Sequence, residues 1–104
     1  MAVWLNLQKH LVKSVDNIMI YRISFTDDVS KQLARMYKRD RALYERIQKK
    51  VDDLREYPKM GKPMGSTLKG SWRVHIGHFV LMYSIHENEK VVEFYKIEHH
   101  DRVY

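Results

Sequence analysis

The sequence predicts an α+β domain in which an antiparallel helix hairpin packs on a sheet of about four strands. Two adjacent segments in the middle of the chain carry apolar residues three and four positions apart, which is helical spacing. The last third of the chain alternates apolar and polar residues in three successive runs with turn signals between them. Helices and strands that are segregated along a chain in this way are typical of α+β domains with antiparallel sheets.

The chain of 104 residues is long enough for one domain with a single core, which we place at residues 19–104. Residues 1–18 have only weak helical spacing, and we interpret them as an N-terminal extension. We expect no secretory signal and no membrane span, because no apolar run approaches the roughly 18 residues that a span requires. The absence of cysteine excludes a disulfide framework and fits a cytoplasmic protein. The net charge of +6 favours an anionic partner, either a nucleic acid or an acidic protein.

The first strand and the first helix are predicted from the segment that follows the extension. Residues 18–25 are rich in β-branched and aromatic side chains, which favour a strand. Thr26 can cap a helix, and Asp27 and Asp28 then lie at the positive end of the helix dipole. The apolar stripe of this helix is formed by Val29, Leu33, Met36 and Tyr37.

The second helix is predicted over Arg41–Glu56, with Asp40 as its N-terminal cap. Its apolar residues repeat at intervals of four, four and three, and they are Leu43, Ile47, Val51 and Leu54. The helix is expected to end at Tyr57, because a residue that precedes a proline avoids the α region. Residues 59–67 contain two glycines and a proline, and we predict a loop there.

Three strands are predicted at residues 71–76, 79–85 and 91–97, and they form an antiparallel meander. Arg73 and His75 lie two positions apart, so they share one face of the first of these strands. Gly77 permits a tight turn after it. The last strand is apolar on both faces near its middle, which indicates a central or covered position. A polar tail rich in histidine follows at residues 98–102.

These features together resemble the RelE/ParE superfamily of type II toxins. The resemblance covers residues 19–104 and rests on the opening MIYRISFTDDVSKQL, the helix pair, Leu68-Lys69-Gly70, the segment WRVHIG and the ending IEHHDRVY. It implies a compact toxin that an acidic, partly disordered antitoxin neutralises by folding on it. It also implies that any operator DNA is bound only through the antitoxin, with no cofactor, no metal and no membrane involved.

The resemblance leaves three functions open. RelE-like members enter the ribosomal A site and cut mRNA without a metal, through attack of the ribose 2′-OH on the adjacent phosphate. A ribosome-dependent mRNA endonuclease is therefore the first hypothesis. A ParE-like inhibitor of DNA gyrase is the second, and a catalytically silent protein that only binds its antitoxin is the third.

The resemblance also implies roles for six residues. Arg73 falls where RelE-like nucleases carry a basic catalytic residue, and we predict that it stabilises the transition-state charge. His100 is the predicted general acid, because an imidazole titrates near neutral pH. Tyr104 matches the terminal tyrosine of the family and would stack on a base or orient the substrate. The predicted RNA contacts are Lys69, His75 and His99, and the alternative for these polar residues is an ordinary solvated surface.

Two positions depart from the pattern of the RelE-like nucleases. Val80 stands where these nucleases usually have an arginine, so one charge that is expected to face the phosphate is missing. Glu98 stands where the family usually has a glycine. The missing charge is the feature that keeps the gyrase inhibitor and the silent protein open as alternatives.

Overall fold

The structure is a computed structural model that describes residues 20–65 and 70–100. Its elements are β1 (Arg22–Phe25), α1 (Asp27–Arg39), α2 (Arg41–Glu56), a 3-10 turn (Pro58–Met60), β2 (Lys62–Pro63), β3 (Ser71–Ile76), β4 (Phe79–His86) and β5 (Val91–His99). One sheet contains all five strands in the order β1-β5-β4-β3-β2. The predicted α+β fold with a helix hairpin and an antiparallel meander is confirmed, whereas the predicted extension, residues 1–18, lies outside the described residues.

Both helices begin at the residues that the sequence predicts. The Thr26 hydroxyl accepts a hydrogen bond from the Val29 N–H at 3.4 Å, and the Asp40 carboxylate accepts one from the Leu43 N–H at 3.1 Å. The Asp40 N–H also donates to the Met36 carbonyl at 2.8 Å, so this one residue ends α1 and caps α2. A single connecting residue leaves the two helices no room to separate, and they form a hairpin. Neither helix, nor any other in the described part of the chain, is long and apolar enough to cross a membrane.

The sheet places β5 between β1, which is parallel to it, and β4, which is antiparallel to it. This inner position confirms the prediction made from its apolar pattern. Among the described residues the first strand begins at Arg22, and the Tyr21 N–H donates instead to the Arg55 carbonyl at the end of α2. Residues 18 and 19 of the predicted strand lie outside the described residues. β3 and β4 are joined by the two residues Gly77 and His78, and the positive φ of Gly77, 59°, is a backbone angle that a glycine adopts without strain.

The hydrophobic core lies between the helix hairpin and one face of the sheet. Its buried members are Val29, Leu33, Ile47, Val51, Leu54, Ile76, Leu81, Tyr83, Val92, Phe94 and Ile97. Val80 and Met82 are also buried, but they alternate with Leu81 and Tyr83 along β4 and therefore lie on the opposite face of the sheet. Both faces of β4 are thus covered, which is expected for the middle strand of five.

The segment that the sequence analysis assigned to a loop, residues 59–67, contains the fifth strand of the sheet. β2 is only two residues long, and Lys62 pairs with Arg73 while Pro63 pairs with Trp72. A proline is compatible with this position because β2 is at the edge of the sheet. Tyr83 anchors the preceding turn, since its buried hydroxyl donates to the Pro58 carbonyl at 2.6 Å. Burial raises the pKa of Tyr83 to about 12, so the hydroxyl remains a donor at neutral pH.

Replacing Gly61 with alanine is expected to detach β2 from the sheet. A Cβ at this position would lie 2.5 Å from the Arg73 carbonyl oxygen and would also collide with the Tyr83 hydroxyl. Overpacking of this kind costs about 1–3 kcal/mol, which urea denaturation would measure as a lower free energy of unfolding. Adding Tyr83→Phe removes the collision with the hydroxyl but not the one with the backbone, so the double variant should show coupling between the two sites. An unchanged stability of Gly61→Ala would contradict this packing.

Candidate functional site

Four basic side chains meet on the sheet face that is turned away from the helices. We call Lys62, Arg73, His75 and His100 the cationic cluster. Lys62 and Arg73 are paired residues of the antiparallel strands β2 and β3, so their side chains leave the sheet on the same side. His75 lies two residues after Arg73 on β3 and shares that face.

His100 reaches the cluster from the end of β5. Its backbone N–H donates to the His78 backbone carbonyl at 2.6 Å, which fixes the chain beside the turn between β3 and β4. Its ring centroid lies 5.2 Å from that of His75, with an angle of 50° between the ring planes. Two imidazoles at this distance can both reach one small group that is bound beside them.

The floor beneath the cluster is apolar. Met82 is the cross-strand partner of Arg73, and Val80 is the partner of His75. Val80 is 0% exposed and Met82 is 7% exposed, so the side chains above them keep water away from this part of the sheet. Charges beside a dry surface interact more strongly than charges in bulk water.

The cluster also affects the titration of one of its own members. The pKa of His75 is lowered from its ordinary value, first by desolvation and then by the positive charges of His100, Arg73 and Lys62. The neutral form of this imidazole is therefore favoured near neutral pH, and a neutral imidazole can accept a proton.

The structure brings three of the six predicted site residues together and separates a fourth. Arg73, His75 and His100 are in the cationic cluster. β5 extends through His99, so part of the predicted polar tail belongs to this strand, and His100 follows directly after its end. The His99 ring stacks on His78 at a centroid distance of 5.9 Å and meets the edge of Phe79 at 5.3 Å.

Lys69 and Tyr104 lie outside the described residues. Their predicted roles, a phosphate contact for Lys69 and substrate orientation for Tyr104, remain predictions from the resemblance.

The two departures from the family pattern lie side by side on the face that carries the cluster. Val80 and Glu98 are cross-strand partners on β4 and β5. Val80 is fully buried, so no side-chain charge projects from this position. The Glu98 carboxylate is 3.2 Å from the Lys96 ammonium group, which neutralises it locally.

Sequence reasoning missed Lys62. Its segment carries the glycines and the proline of a typical loop, and no periodicity connects it to Arg73. Only the pairing of β2 with β3 brings the two side chains to one place. Lys62 supplies a positive charge to the face on which Val80 supplies none.

The chemistry available to this cluster is acid–base and electrostatic. It combines permanent cations with two imidazoles, which are the groups that proton transfer and charge stabilisation at a phosphodiester require. Within residues 20–65 and 70–100, no three histidine, aspartate or glutamate side chains are placed to hold a metal ion.

A known protein family matches most of the domain. The family described as the ParE toxin of the type II toxin–antitoxin system parDE matches residues 23–104. A Methanocaldococcus jannaschii protein whose name assigns it to the RelE toxins is 34% identical over 86 residues, which are 82% of this chain and 92% of that protein.

Solved structures share the fold. The toxin–antitoxin complex RelE–RelB of Pyrococcus horikoshii contains a chain that is 24% identical, with a TM-score of 0.65 over 81% of this chain and 99% of that one. The RelBE2 toxin–antitoxin complex of Mycobacterium tuberculosis gives a TM-score of 0.64 at 24% identity, over 79% of this chain and 93% of the other. At these identities the likeness concerns the fold.

Proposed function

We propose a ribosome-dependent mRNA endonuclease, on the premise that this chain belongs to the RelE/ParE superfamily of type II toxins. The observation that carries the proposal is the pairing of His75 with His100, 5.2 Å apart, in a cluster that contains Arg73. A scissile phosphate bound beside both rings would have a proton acceptor and a proton donor within reach.

In the proposed RNA transesterification, each side chain of the cluster has a role. Neutral His75 takes the proton of the ribose 2′-OH, and the oxygen forms a bond to the adjacent phosphorus. The bond from phosphorus to the 5′-oxygen breaks, and protonated His100 supplies the proton that this leaving oxygen needs. The products are a 2′,3′-cyclic phosphate and a 5′-hydroxyl, and no other reactant is consumed.

Arg73 and Lys62 stabilise the negative charge that develops on the phosphorane. The guanidinium of Arg73 can bind two phosphate oxygens at once, whereas the Lys62 ammonium group acts as a point charge. Lys62 therefore provides a cation on the sheet face where Val80 replaces the arginine of RelE-like nucleases.

The proposed partner is an acidic antitoxin encoded with this chain. Two of the solved structures that share the fold are toxin–antitoxin complexes. The chain carries a net charge of +6, which an acidic and partly disordered partner would complement as it folds on the surface.

Expression without the antitoxin tests the proposed activity. Induction should arrest growth, and primer extension on translated messages should find cuts that are absent from untranslated copies of the same RNA. His100→Ala should remove both effects while leaving the protein folded, as circular dichroism would verify. In-frame cuts that persist in His100→Ala would exclude the proposed general acid, and the absence of cuts in the parent would exclude the nuclease.

The His75 imidazole should titrate below the ordinary value of about 6.5. Replacing Lys62 with glutamine should raise this pKa, because one of the positive charges that oppose protonation is lost. Lys59→Gln is the matched control, since Lys59 pairs with Glu87. NMR titration of the imidazole protons measures the His75 pKa in the parent, in Lys62→Gln and in Lys59→Gln. Equal His75 pKa values in the parent and in Lys62→Gln would place Lys62 outside the cluster.

A DNA gyrase inhibitor is the second candidate, and Val80 is the observation that favours it. The family match is to the ParE toxins, and the buried Val80 leaves this chain without one charge of the RelE-like nucleases. A supercoiling assay with purified gyrase separates the two functions. Inhibition at stoichiometric toxin, combined with intact mRNA in cells, would favour the gyrase inhibitor.

A further inference from the structure

A groove runs between the second helix and the sheet edge beside the cationic cluster. It has a volume of about 400 Å³ and is lined by Arg46, Lys49, Lys50, Asp53, His75, Ile76 and Gly77. The residues from α2 are spaced by three, four and seven positions from Arg46, so they form one face of the helix. The Arg46 guanidinium lies over the turn, because a Cβ built on Gly77 would be 3.3 Å from its Nη2 atom. We call this feature the α2 groove.

The α2 groove carries excess positive charge. Its walls hold the three cations of α2 and a single carboxylate, that of Asp53. In the described part of the chain, none of these three cations lies within 4 Å of a carboxylate, whereas Lys59 and Lys90 contact Glu87 and Lys96 contacts Glu98. Clustered cations that form no ion pair with the described residues attract a polyanion.

A larger cavity elsewhere on the molecule has a smaller excess of positive charge. It has a volume of about 540 Å³ and lies along α1, where Lys31, Arg35 and Lys96 alternate with Asp28 and Glu98. Two carboxylates offset three cations there, and one of them is already paired with Lys96. That cavity therefore attracts an anion less strongly than the α2 groove does, although its volume is greater.

The α2 groove is continuous with the cationic cluster through His75. β2 pairs only with Trp72 and Arg73, so the edge of β3 is open beside His75 and Ile76. His75 belongs to the cluster and also lines the groove. A chain that leaves the cluster past His75 would therefore enter the groove.

We propose that the α2 groove binds the phosphate backbone of the RNA strand whose scissile phosphate lies in the cationic cluster. This proposal rests on the proposed nuclease function and adds to it a second contact surface, built from Arg46, Lys49 and Lys50. The contacts are to phosphates, so the groove strengthens binding without selecting a base sequence.

The test measures the binding of a single-stranded, fully 2′-O-methylated oligoribonucleotide to the purified toxin as a function of salt. Each phosphate contact on a single strand contributes about 0.7 to the slope of log K against log salt. Lys49→Gln combined with Lys50→Gln should therefore lower the slope by about 1.4 and weaken binding by about 25-fold at 0.1 M salt, relative to the 1 M reference. The control is Lys31→Gln combined with Lys38→Gln, which removes the same charge from exposed positions of α1 and should change the slope little.

Equal effects of the two double variants would overturn the proposal, because net charge alone would then explain the binding. A parent protein that shows no salt-dependent RNA binding would overturn it as well. A loss of antitoxin affinity in the α2 variant with unchanged RNA binding would assign the groove to the antitoxin instead. If the α2 variant cuts translated mRNA at the full rate of the parent, the role of the groove is contradicted but the nuclease function is not. If RNA binding depends on the groove but the parent cuts no mRNA, the nuclease function is contradicted but the groove is not.

Discussion

Arg73→Met should lower the rate of mRNA cleavage by about 10²–10³-fold, which is the cost of removing one preorganised group that stabilises transition-state charge. Methionine keeps the unbranched apolar stem over Met82, so the change removes charge and donors while leaving the packing of β3 on β4 nearly intact. Single-turnover cleavage on ribosomes that carry a defined message measures this rate. Arg73→Lys should fall between the parent and Arg73→Met, because a point charge replaces a two-pronged donor.

The control for this prediction is Arg22→Met. Arg22 is an exposed strand residue on β1, at the opposite edge of the sheet from β2. It should leave the cleavage rate within about twofold of the parent, since surface substitutions away from a site have small effects. If Arg73→Met has an unchanged Tm and cuts mRNA at the same rate as Arg22→Met, Arg73 does not stabilise the transition state.

Phe94→Ala should destabilise the domain by about 3–5 kcal/mol, the cost of deleting a buried aromatic ring. Phe94 is 0% exposed, and its ring contacts Tyr83 at a centroid distance of 5.3 Å and Phe25 at 5.7 Å. It therefore joins three strands, because Tyr83 belongs to β4 and Phe25 to β1. For a domain whose total stability is about 5–15 kcal/mol, this loss removes a large share.

Thermal unfolding followed by circular dichroism measures the loss, and a Tm lower by more than about 10 °C is expected. The matched control is Tyr57→Ala, because the Tyr57 residue is 59% exposed and its role as a helix cap uses the backbone N–H. A Phe94→Ala Tm within about 3 °C of the parent would mean that the ring is not in the core that this structure describes.

The features that sequence reasoning predicted correctly are those that local physics determines. Thr26 and Asp40 cap the helices as expected, because a short polar side chain can satisfy an exposed N–H of the same turn. The face shared by Arg73 and His75 follows from the period of a strand, whatever the partner strand is. The length of the turn at Gly77 likewise depends on residues that are adjacent in the chain.

The features that it missed depend on contacts between distant segments. β2 pairs with β3 next to the turn that Tyr83 holds through the Pro58 carbonyl, and this pairing brings Lys62 beside Arg73. Its own residues, with a proline in a segment between two glycines, are those of a loop. The separation of His99 from His100 also follows from pairing, because β5 continues through His99 and the two rings have different neighbours. The length of that strand is set by its pairing with β4, where Phe79 faces His99.

The most direct measurement of the central claim uses purified toxin, ribosomes stalled on a defined message, and the same message with a single 2′-deoxy nucleotide at the cut position. If the cationic cluster performs transesterification, the ribose message should be cut to leave a 2′,3′-cyclic phosphate, and the deoxy message should remain intact at that position. Equal cleavage of both messages, or a 3′ end without the cyclic phosphate, would contradict the mechanism assigned to His75, His100 and Arg73.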